Sequence, residues 1–406
     1  MAEGLPTAPA VASAPRVAYT RLMVASILGM IMFGAVQVAL PVCLDALGRD
    51  LDLNFEQRGT LIALRMAALT ACLLLVGYFG ERSGKHHVLF WGLGVIAASQ
   101  VMIARAESYP RLQLAMVAAG LGFGVFEALI NPLIAQLHPH NSARALNLIN
   151  GLFSVGLVAG ALSTGELLQA GYSWRLPFWW WAVPPVVCAV LYMTPRYPPL
   201  PPRVEGRTQV QEMKGFLSTP LFWVLAGAMV LGGGCEGGLT SWAPNFVAEE
   251  LDASARAGAW TTILYGSFMA LGRFGAGALV TRMRPVTMMI LSALLCGVVT
   301  LGLAFAPTLW STYVLFSLGG LFVACFWPTL LSVASDHICR GSTALFALLG
   351  GAGVSGCVIV PWAIGALGDL VGLRGAVLVL PAAMAGLMVL LAVISRLTRR
   401  EPSTEQ

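Results

Sequence analysis

The sequence predicts an all-α polytopic membrane protein whose twelve transmembrane helices form two pseudo-symmetric bundles of six. Hydrophobic residues make up 57% of the 406 positions and charged residues only 11%, and the mean hydropathy is +0.79. Apolar runs repeatedly reach the roughly 20 residues that a helix needs to cross a bilayer. The alternating ten-residue segments of membrane β-barrels do not occur. Because lipid offers no partner to free backbone groups, the spans must be helical.

Pro, Gly and clusters of charged residues divide the chain into the twelve predicted spans. In chain order they cover residues 22–47, 58–80, 87–106, 111–137, 144–169, 176–194, 221–248, 258–280, 286–305, 311–336, 341–368 and 374–395. The hydrophilic segment PRYPPLPPRVEGRTQVQEMKG separates the sixth span from the seventh. We therefore predict an N-terminal tail (1–21), a first bundle (22–194), a linker (195–220), a second bundle (221–395) and a C-terminal tail (396–406).

Lys and Arg are distributed unevenly between the predicted loops. Most of them lie on the side that carries both tails and the linker, and cytoplasmic loops are the ones that carry such an excess. We therefore expect both termini in the cytoplasm and the protein in the inner (plasma) membrane, surrounded by lipid. This topology accounts for the formal net charge of +5 without a nucleic-acid partner.

The two halves resemble each other at a nearly constant offset. Pro132 and Arg144 in NPLIAQLHPHNSAR correspond to Pro328 and Arg340 in WPTLLSVASDHICR, in each case 196 positions further on. Repeated bundles of this kind are typical of transporters that work by alternating access, with a site between the halves near the membrane midplane.

The segment GYFGERSGK, between the second and third spans, resembles the loop signature of the major facilitator superfamily. Gly77, Arg82, Gly84 and Lys85 match that signature, and Glu81 stands where the family usually has Asp. Gly77 would let helices approach closely, and Glu81 would accept from helix-terminal amides and pair with Arg82. Lys85 would anchor the loop at the lipid surface. The alternative is a loop that is merely basic.

The fourth span, GFGVFEALINPLIAQLHP, is similar to the fucose:proton symporter branch of that superfamily. The resemblance implies that Glu127 takes part in substrate binding and proton coupling, with Asn131 one turn away. It also implies an amide from the fifth span, for which Asn150 is a better match than Asn147. The second acidic residue of that branch falls on Gln37, which cannot titrate, so a relay of two carboxylates in this half is not supported. Gln37 and Asn131 are instead expected to bind substrate.

Ionisable side chains within the spans are site candidates because each costs about 2.5–3.5 kcal/mol near the bilayer centre. All five histidines fall at predicted loops, so a proton relay must use carboxylates. A carboxylate removed from water holds a proton more tightly, which makes Glu127 the proton-coupling candidate. The alternative is a permanently neutral Glu127 that binds substrate or is structural.

The stretch GGGCEGGLT at 232–240 places Glu236 among five glycines. It corresponds to Gln37 in the first half, where transporter helices commonly unwind beside the substrate. One interpretation makes Glu236 a substrate-binding or proton-coupling residue on a hinge. In the other, the glycines are a helix-packing face and Glu236 neutralises Arg65 or Arg273.

Four aromatic residues, Trp242, Trp260, Tyr265 and Trp327, are predicted to stack on a sugar ring, although Trp and Tyr also populate membrane interfaces. Arg65 indicates an anionic substrate if it faces the central cavity, and nothing about the substrate if it pairs with a carboxylate. Arg273 is expected to brace the cytoplasmic gate.

These features favour a secondary active transporter that imports a small polar solute, a monosaccharide or sugar derivative, by proton symport. The alternatives are a transporter or exporter of an organic anion or amphiphile, and a non-transporting membrane sensor. The spans hold none of the motifs of an intramembrane enzyme, so we expect no catalytic residue. The cysteines show no zinc or disulfide spacing, so we expect no metal. The proton gradient would replace a cofactor, and the protein would work as a monomer.

Overall fold

The computed structural model describes residues 18–53, 55–79, 85–193, 197–198, 209–253 and 255–399. Most of the two predicted tails lies outside these residues. So do Glu81, Arg82 and Gly84 of the predicted loop signature, whose roles stay predictions.

All regular elements within the described residues are helices. They are α1 (Tyr19–Asp50), α2 (Phe55–Phe79), α3 (Lys85–Ala104), α4 (Tyr109–Leu137), α5 (Ser142–Gln169), α6 (Arg175–Trp181), α7 (Val183–Tyr192), α8 (Gln209–Ser218), α9 (Pro220–Leu251), α10 (Ala255–Leu279), α11 (Pro285–Leu303), α12 (Leu309–Val323), α13 (Phe326–His337), α14 (Thr343–Val371), α15 (Leu373–Ala376) and α16 (Val379–Arg399).

The predicted spans all fall on these helices, and the predicted helical fold is confirmed. The sixth span is divided into α6 and α7, the tenth into α12 and α13, and the last into α15 and α16. Pro184 and Pro185 lack the backbone donors that would continue α6, which explains the first of these breaks. The short helix α8 lies in the predicted linker.

By length and composition, ten helical stretches among the described residues are suited to cross a bilayer. The sixth and eighth predicted spans are missing from this set. The sixth, formed by α6 and α7, contains Arg175 and three prolines, and the eighth, α10, carries Arg273 together with several Gly and Thr residues, so both are less apolar than the others. Both nevertheless pack against helices of their own bundle, α6 against α3 and α10 against α9 and α12.

The same pairs of helices pack together in the two halves. The α1–α5 pair corresponds to α9–α14, α2–α4 to α10–α12, and α3–α7 to α11–α16. Between the halves, α2 packs on α14, and α5 packs on α10 and α13. The repeat inferred from a few Pro and Arg positions therefore extends to the whole packing arrangement.

An arginine ties together the ends of three helices in each half. Arg175 pairs with Asp50 at 2.7 Å, and Arg374 pairs with Glu250 at 3.0 Å. Each arginine also donates to a carbonyl in the loop that follows α3 or α11, at 3.1 and 2.7 Å. These matched contacts lie at the face of the molecule where α1 and α9 end.

Glycines allow the long helices to cross at backbone contact. A Cβ added at Gly34 or Gly156 would lie 2.1 Å from a backbone oxygen of the facing helix, where α1 crosses α5. At the matching crossing of α9 and α14, the corresponding distances are 2.6 Å at Gly233 and 2.0 Å at Gly356. Larger residues cannot occupy these positions unless the helices separate.

The glycine-rich segment 232–240 is α-helical throughout and lies inside α9. The expectation that it unwinds is therefore wrong. Added Cβ atoms at Gly233, Gly234 and Gly237 would lie within 2.8 Å of α14 atoms, so the glycines form a packing face. Close packing against α14 keeps the helix intact despite its weak intrinsic propensity.

The halves meet at the face where α1 begins and α16 ends, here called the terminal face. The Ser142 and Ser332 hydroxyls lie 2.8 Å apart across the seam, and Gln136 Nε2 donates to Gly341 O at 2.6 Å. A Cβ at Gly77 would lie 2.3 Å from Ala347 Cβ, so Gly77 does allow the predicted close approach.

The expectation that Lys85 anchors a loop at the lipid surface is wrong. Lys85 is 5% exposed, and its Nζ donates to Gln136 Oε1. Because Gln136 reaches the other half through its amide nitrogen, Lys85 supports the seam rather than the lipid contact. A buried ammonium group needs a hydrogen-bond acceptor, and the Gln136 side chain provides one.

The α1–α5 crossing generates a stability prediction. We expect Gly156→Ala to lower the melting temperature by several degrees, since forcing a methyl group into a packed contact costs about 1–3 kcal/mol. The control is Gly165→Ala on the same helix, where an added Cβ meets nothing within 4 Å. The control should be neutral or stabilising. Equal melting temperatures of the two variants in detergent would contradict the crossing.

Candidate functional site

An ion pair lies inside the second half. Arg273 on α10 donates to Glu236 on α9, with 2.9 Å between Nη2 and Oε1. The Arg273 side chain is 3% exposed and that of Glu236 is 18% exposed. Of the two interpretations of Glu236, the structure agrees with the one in which it neutralises Arg273.

Arg273 also binds the first half. Its Nη1 donates to Asn150 O at 3.2 Å and to Ser154 Oγ at 2.9 Å, both on α5. Its Nε donates to Ala324 O at 3.3 Å. This carbonyl is free because the residue four positions later, Pro328, has no N–H. Each guanidinium nitrogen therefore has an acceptor, and the acceptors come from both halves.

Amide side chains extend the contact to the second carboxylate. Asn150 Nδ2 donates to Asn131 Oδ1 at 3.0 Å, and Asn131 Nδ2 lies 3.4 Å from Glu127 Oε1. We call Glu127, Asn131, Asn150, Arg273 and Glu236 the interior polar network. Glu127 is half-buried and interacts electrostatically with both Arg273 and Glu236. The network thus links the carboxylates of the two halves.

The resemblance assigned the fifth-span amide to Asn150 rather than Asn147. Asn147 lies outside the network and donates to Thr329 Oγ1 across the seam at 2.9 Å. The two asparagines are nearly one helical turn apart, so they bind the other half at successive levels.

Arg65 is buried without a carboxylate partner among the described residues. It is 4% exposed, and its Nη1 donates to Gln37 O at 3.2 Å. This carbonyl is free because Pro41, four positions later, lacks an N–H. The guanidinium lies over the Phe123 ring at 5.8 Å. Its Nε is buried and has no hydrogen-bond partner among those residues.

Tyr265 is the counterpart of Arg65 in the second half. It lies 200 positions later in the sequence and is buried. Its hydroxyl donates to Glu236 O at 3.3 Å, and Glu236 is the counterpart of Gln37. In each half, a side chain therefore donates to the corresponding backbone carbonyl. The donor is a cation, Arg65, in the first half and a neutral phenol, Tyr265, in the second.

Of the other predicted aromatic residues, Trp260 is exposed, whereas Trp242 and Trp327 contact α14. Trp242 Nε1 donates to Pro361 O at 3.0 Å, and a Cβ at Gly353 would lie 2.4 Å from the Trp327 ring. Both rings are half-buried. Trp327 therefore faces α14 as its counterpart Asn131 faces α5, which is the direction that the repeat predicts.

Two features of the site were missed in the sequence. Phe33 contacts Phe123, Phe126 and Phe153 at centroid distances of 5.3–5.5 Å, and Phe153 lies 5.7 Å from the Arg273 guanidinium. Ser154, an acceptor for Arg273, lies four positions after Asn150, and this helical spacing was the available signal. Among the described residues, no group of His, Cys, Asp and Glu has a geometry suited to a metal ion.

A sequence model of the Major Facilitator Superfamily matches residues 22–338 and 243–406. The chain belongs to the major facilitator superfamily. Members of this family are membrane transporters that lie in the bilayer and bind small molecules, so the chain is a multi-pass membrane transporter.

Curated relatives differ in how much of their length they share with this transporter. The 3-(3-hydroxy-phenyl)propionate transporter of Escherichia coli is 25% identical over 352 residues, which is 83% of this chain and 81% of that protein. Plastidic glucose transporter 4 of Arabidopsis thaliana is 24% identical over 166 residues, which is 40% of this chain and only 30% of that protein.

Solved structures share the fold. The transporter FucP, the E. coli fucose:proton symporter, in its outward conformation has a TM-score of 0.80 at 16% identity, over 93% of this chain and 98% of that one. A human organic anion transporter has a TM-score of 0.77 at 16% identity, over 93% of this chain and 100% of that one. At such identity the similarity shows the major facilitator fold alone, as predicted.

The Arg273–Glu236 pair generates a second prediction. Arg273→Gln should destabilise the protein by about 3–5 kcal/mol, because it leaves a largely buried carboxylate without its counter-ion. Adding Glu236→Gln should restore part of the lost stability, which melting temperatures of the wild type, both single variants and the double variant would measure. Additive losses in that cycle would contradict a direct pair.

Proposed function

We propose that this protein is a secondary active transporter that imports a small polar solute by alternating access, coupled to protons. The observation that carries the proposal is the interior polar network, which joins ionisable residues of both halves. Buried charges are costly in a membrane and are retained where they bind solutes or ions. The molecule would work as a monomer in the inner membrane with cytoplasmic termini, and the proton gradient would supply the energy without a cofactor.

Alternating access requires the two halves to separate at one face while they close at the other. The halves are in contact at the terminal face, through the Ser142–Ser332 and Gln136–Gly341 contacts. To open this face, Arg273 must release Asn150 O and Ser154 on α5. Solute or proton binding would drive the transition by changing what these network groups bind.

Glu127 is the better of the two candidate carboxylates for proton coupling. Glu236 already has Arg273 as its counter-ion, whereas Glu127 has one long hydrogen bond from Asn131. Protonation of Glu127 therefore breaks no ion pair and changes the charge of the network. One proton moved through 100 mV supplies about 2.3 kcal/mol for accumulation.

A monosaccharide or sugar derivative is one candidate substrate class, because amides and carboxylates suit hydroxyl groups and the fold is shared with a sugar symporter. An organic anion is the second candidate substrate. For that class, the direction of transport would be either import or export. Arg65 favours the anion because it has no carboxylate partner among the described residues. Two proteins similar to this chain are named for a propionate derivative and for organic anions.

Glu127→Gln generates the third prediction. In liposomes containing the purified protein and a trapped pH dye, solutes that stabilise the wild type should drive proton uptake. Glu127→Gln should abolish that uptake, since the amide cannot carry a proton, while the same solutes still raise its melting temperature.

The matched control is Glu166→Gln, an exposed position on α5 outside the network, which should keep proton uptake. Proton uptake that persists in Glu127→Gln would show that another group couples the proton.

A further inference from the structure

Arg65 has more donors than its contacts in the protein use. An arginine carries five N–H donors, and among the described residues Arg65 donates a hydrogen bond to one acceptor, Gln37 O. Its Nε has no partner among the described residues although the side chain is 4% exposed. An unsatisfied buried donor is costly, and its persistence in a site needs an explanation.

The repeat excludes one explanation, that the arginine serves only to satisfy the backbone carbonyl. In the second half the corresponding carbonyl, Glu236 O, accepts from two neutral hydroxyls, that of Thr240 at 2.7 Å and that of Tyr265 at 3.3 Å. Neutral donors therefore satisfy the carbonyl at this place in the fold. The positive charge and the planar fork of Arg65 are additional features of the first half.

The charges around the network leave Arg65 uncompensated. Arg273 is neutralised by Glu236 at 2.9 Å. The helices that pack most extensively on α2 are α4 and α14, and α1 supplies Gln37 O to Arg65. Among their described side chains, Glu127 is the one carboxylate near the centre, one turn along α4 from Phe123, which Arg65 contacts. When Glu127 carries a proton, the interior therefore holds one positive charge without a counter-ion.

We propose that the substrate is an organic acid with a single carboxylate, which binds the Arg65 guanidinium. This inference rests on the proposed transport function and names its substrate class. A carboxylate matches the guanidinium fork with two parallel hydrogen bonds and satisfies the buried Nε. One negative charge balances the one uncompensated cation, so a monoanion fits the site better than a neutral sugar or a dianion. Substrate and proton then enter together without changing the net charge of the interior.

The test compares probes that differ only in the charged group. The purified full chain in detergent is titrated with glucuronate against glucose, and with 3-phenylpropionate against 3-phenylpropan-1-ol, and the shift in melting temperature gives each affinity. We expect at least one acid to bind ten-fold or more tightly than its neutral partner, because the neutral partner leaves the buried donors unpaired.

Substitutions at Arg65 assign the preference to this residue. Arg65→Gln should reduce the acid-to-neutral affinity ratio roughly ten- to a hundred-fold, the range for losing a charged hydrogen bond. Arg65→Lys keeps the charge without the fork and should keep part of the ratio. The control is Arg111→Gln, which removes an exposed arginine paired with Glu107 and should leave the ratio unchanged. The ratio of acid to neutral affinity compares two ligands on the same variant, so it remains informative even if that variant is less stable.

The outcomes separate this inference from the transport proposal. Equal binding of both members of a pair, tighter binding of the neutral members, or no binding of either acid overturns the monoanion inference, and proton-coupled transport of neutral solutes then still stands. An acid preference that survives Arg65→Gln also overturns it. Binding of an acid that drives no proton uptake in liposomes contradicts the transport proposal and leaves the Arg65 site in place.

Discussion

The buried guanidinium of Arg273 is the interaction on which the arrangement of the two halves depends. It neutralises Glu236 within its own half and donates to Asn150 O and Ser154 Oγ in the other. A buried guanidinium group must keep most of its N–H donors hydrogen-bonded. Any movement of α5 away from α10 therefore breaks the hydrogen bonds from Arg273 to α5. A solute, a water molecule or a rearranged side chain must then supply new acceptors. In the proposed transport cycle, this would couple the contents of the site to the contact between the halves.

Prolines position both interior cations. Pro41 and Pro328 each free the carbonyl four residues earlier, and Arg65 and Arg273 donate to these carbonyls at 3.2 and 3.3 Å. A proline in a membrane helix thus creates an acceptor where lipid offers no water, and the arginine satisfies it. The two arginines differ in their counter-ions. Arg273 has Glu236, whereas Arg65 has no such partner among the described residues, and this distinguishes the first half from the second.

The fold could be predicted from the sequence because hydropathy, charge bias and the internal repeat are patterns in the order of the residues along the chain. The pairing partners within the site were not predictable in the same way. Whether Glu236 neutralises Arg65 or Arg273 depends on helix rotation, which the apolar pattern of a fully buried helix does not fix. The expected unwinding of α9 was wrong because close packing on α14 overrides the low propensity of its glycines. Lys85 was misassigned because its acceptor, Gln136, lies 51 positions away in the sequence.

The most direct test of the account is a reversible cross-link across the terminal face. Ser142 and Ser332 lie in different halves with their hydroxyls 2.8 Å apart, so a Ser142→Cys, Ser332→Cys double variant places two thiols at the seam. The account predicts that oxidation joins the thiols and stops solute-driven proton uptake in liposomes. Reductant should restore uptake, and each single variant should be unaffected by oxidation. Full proton uptake by the cross-linked protein would contradict the claim that the halves must separate at this face.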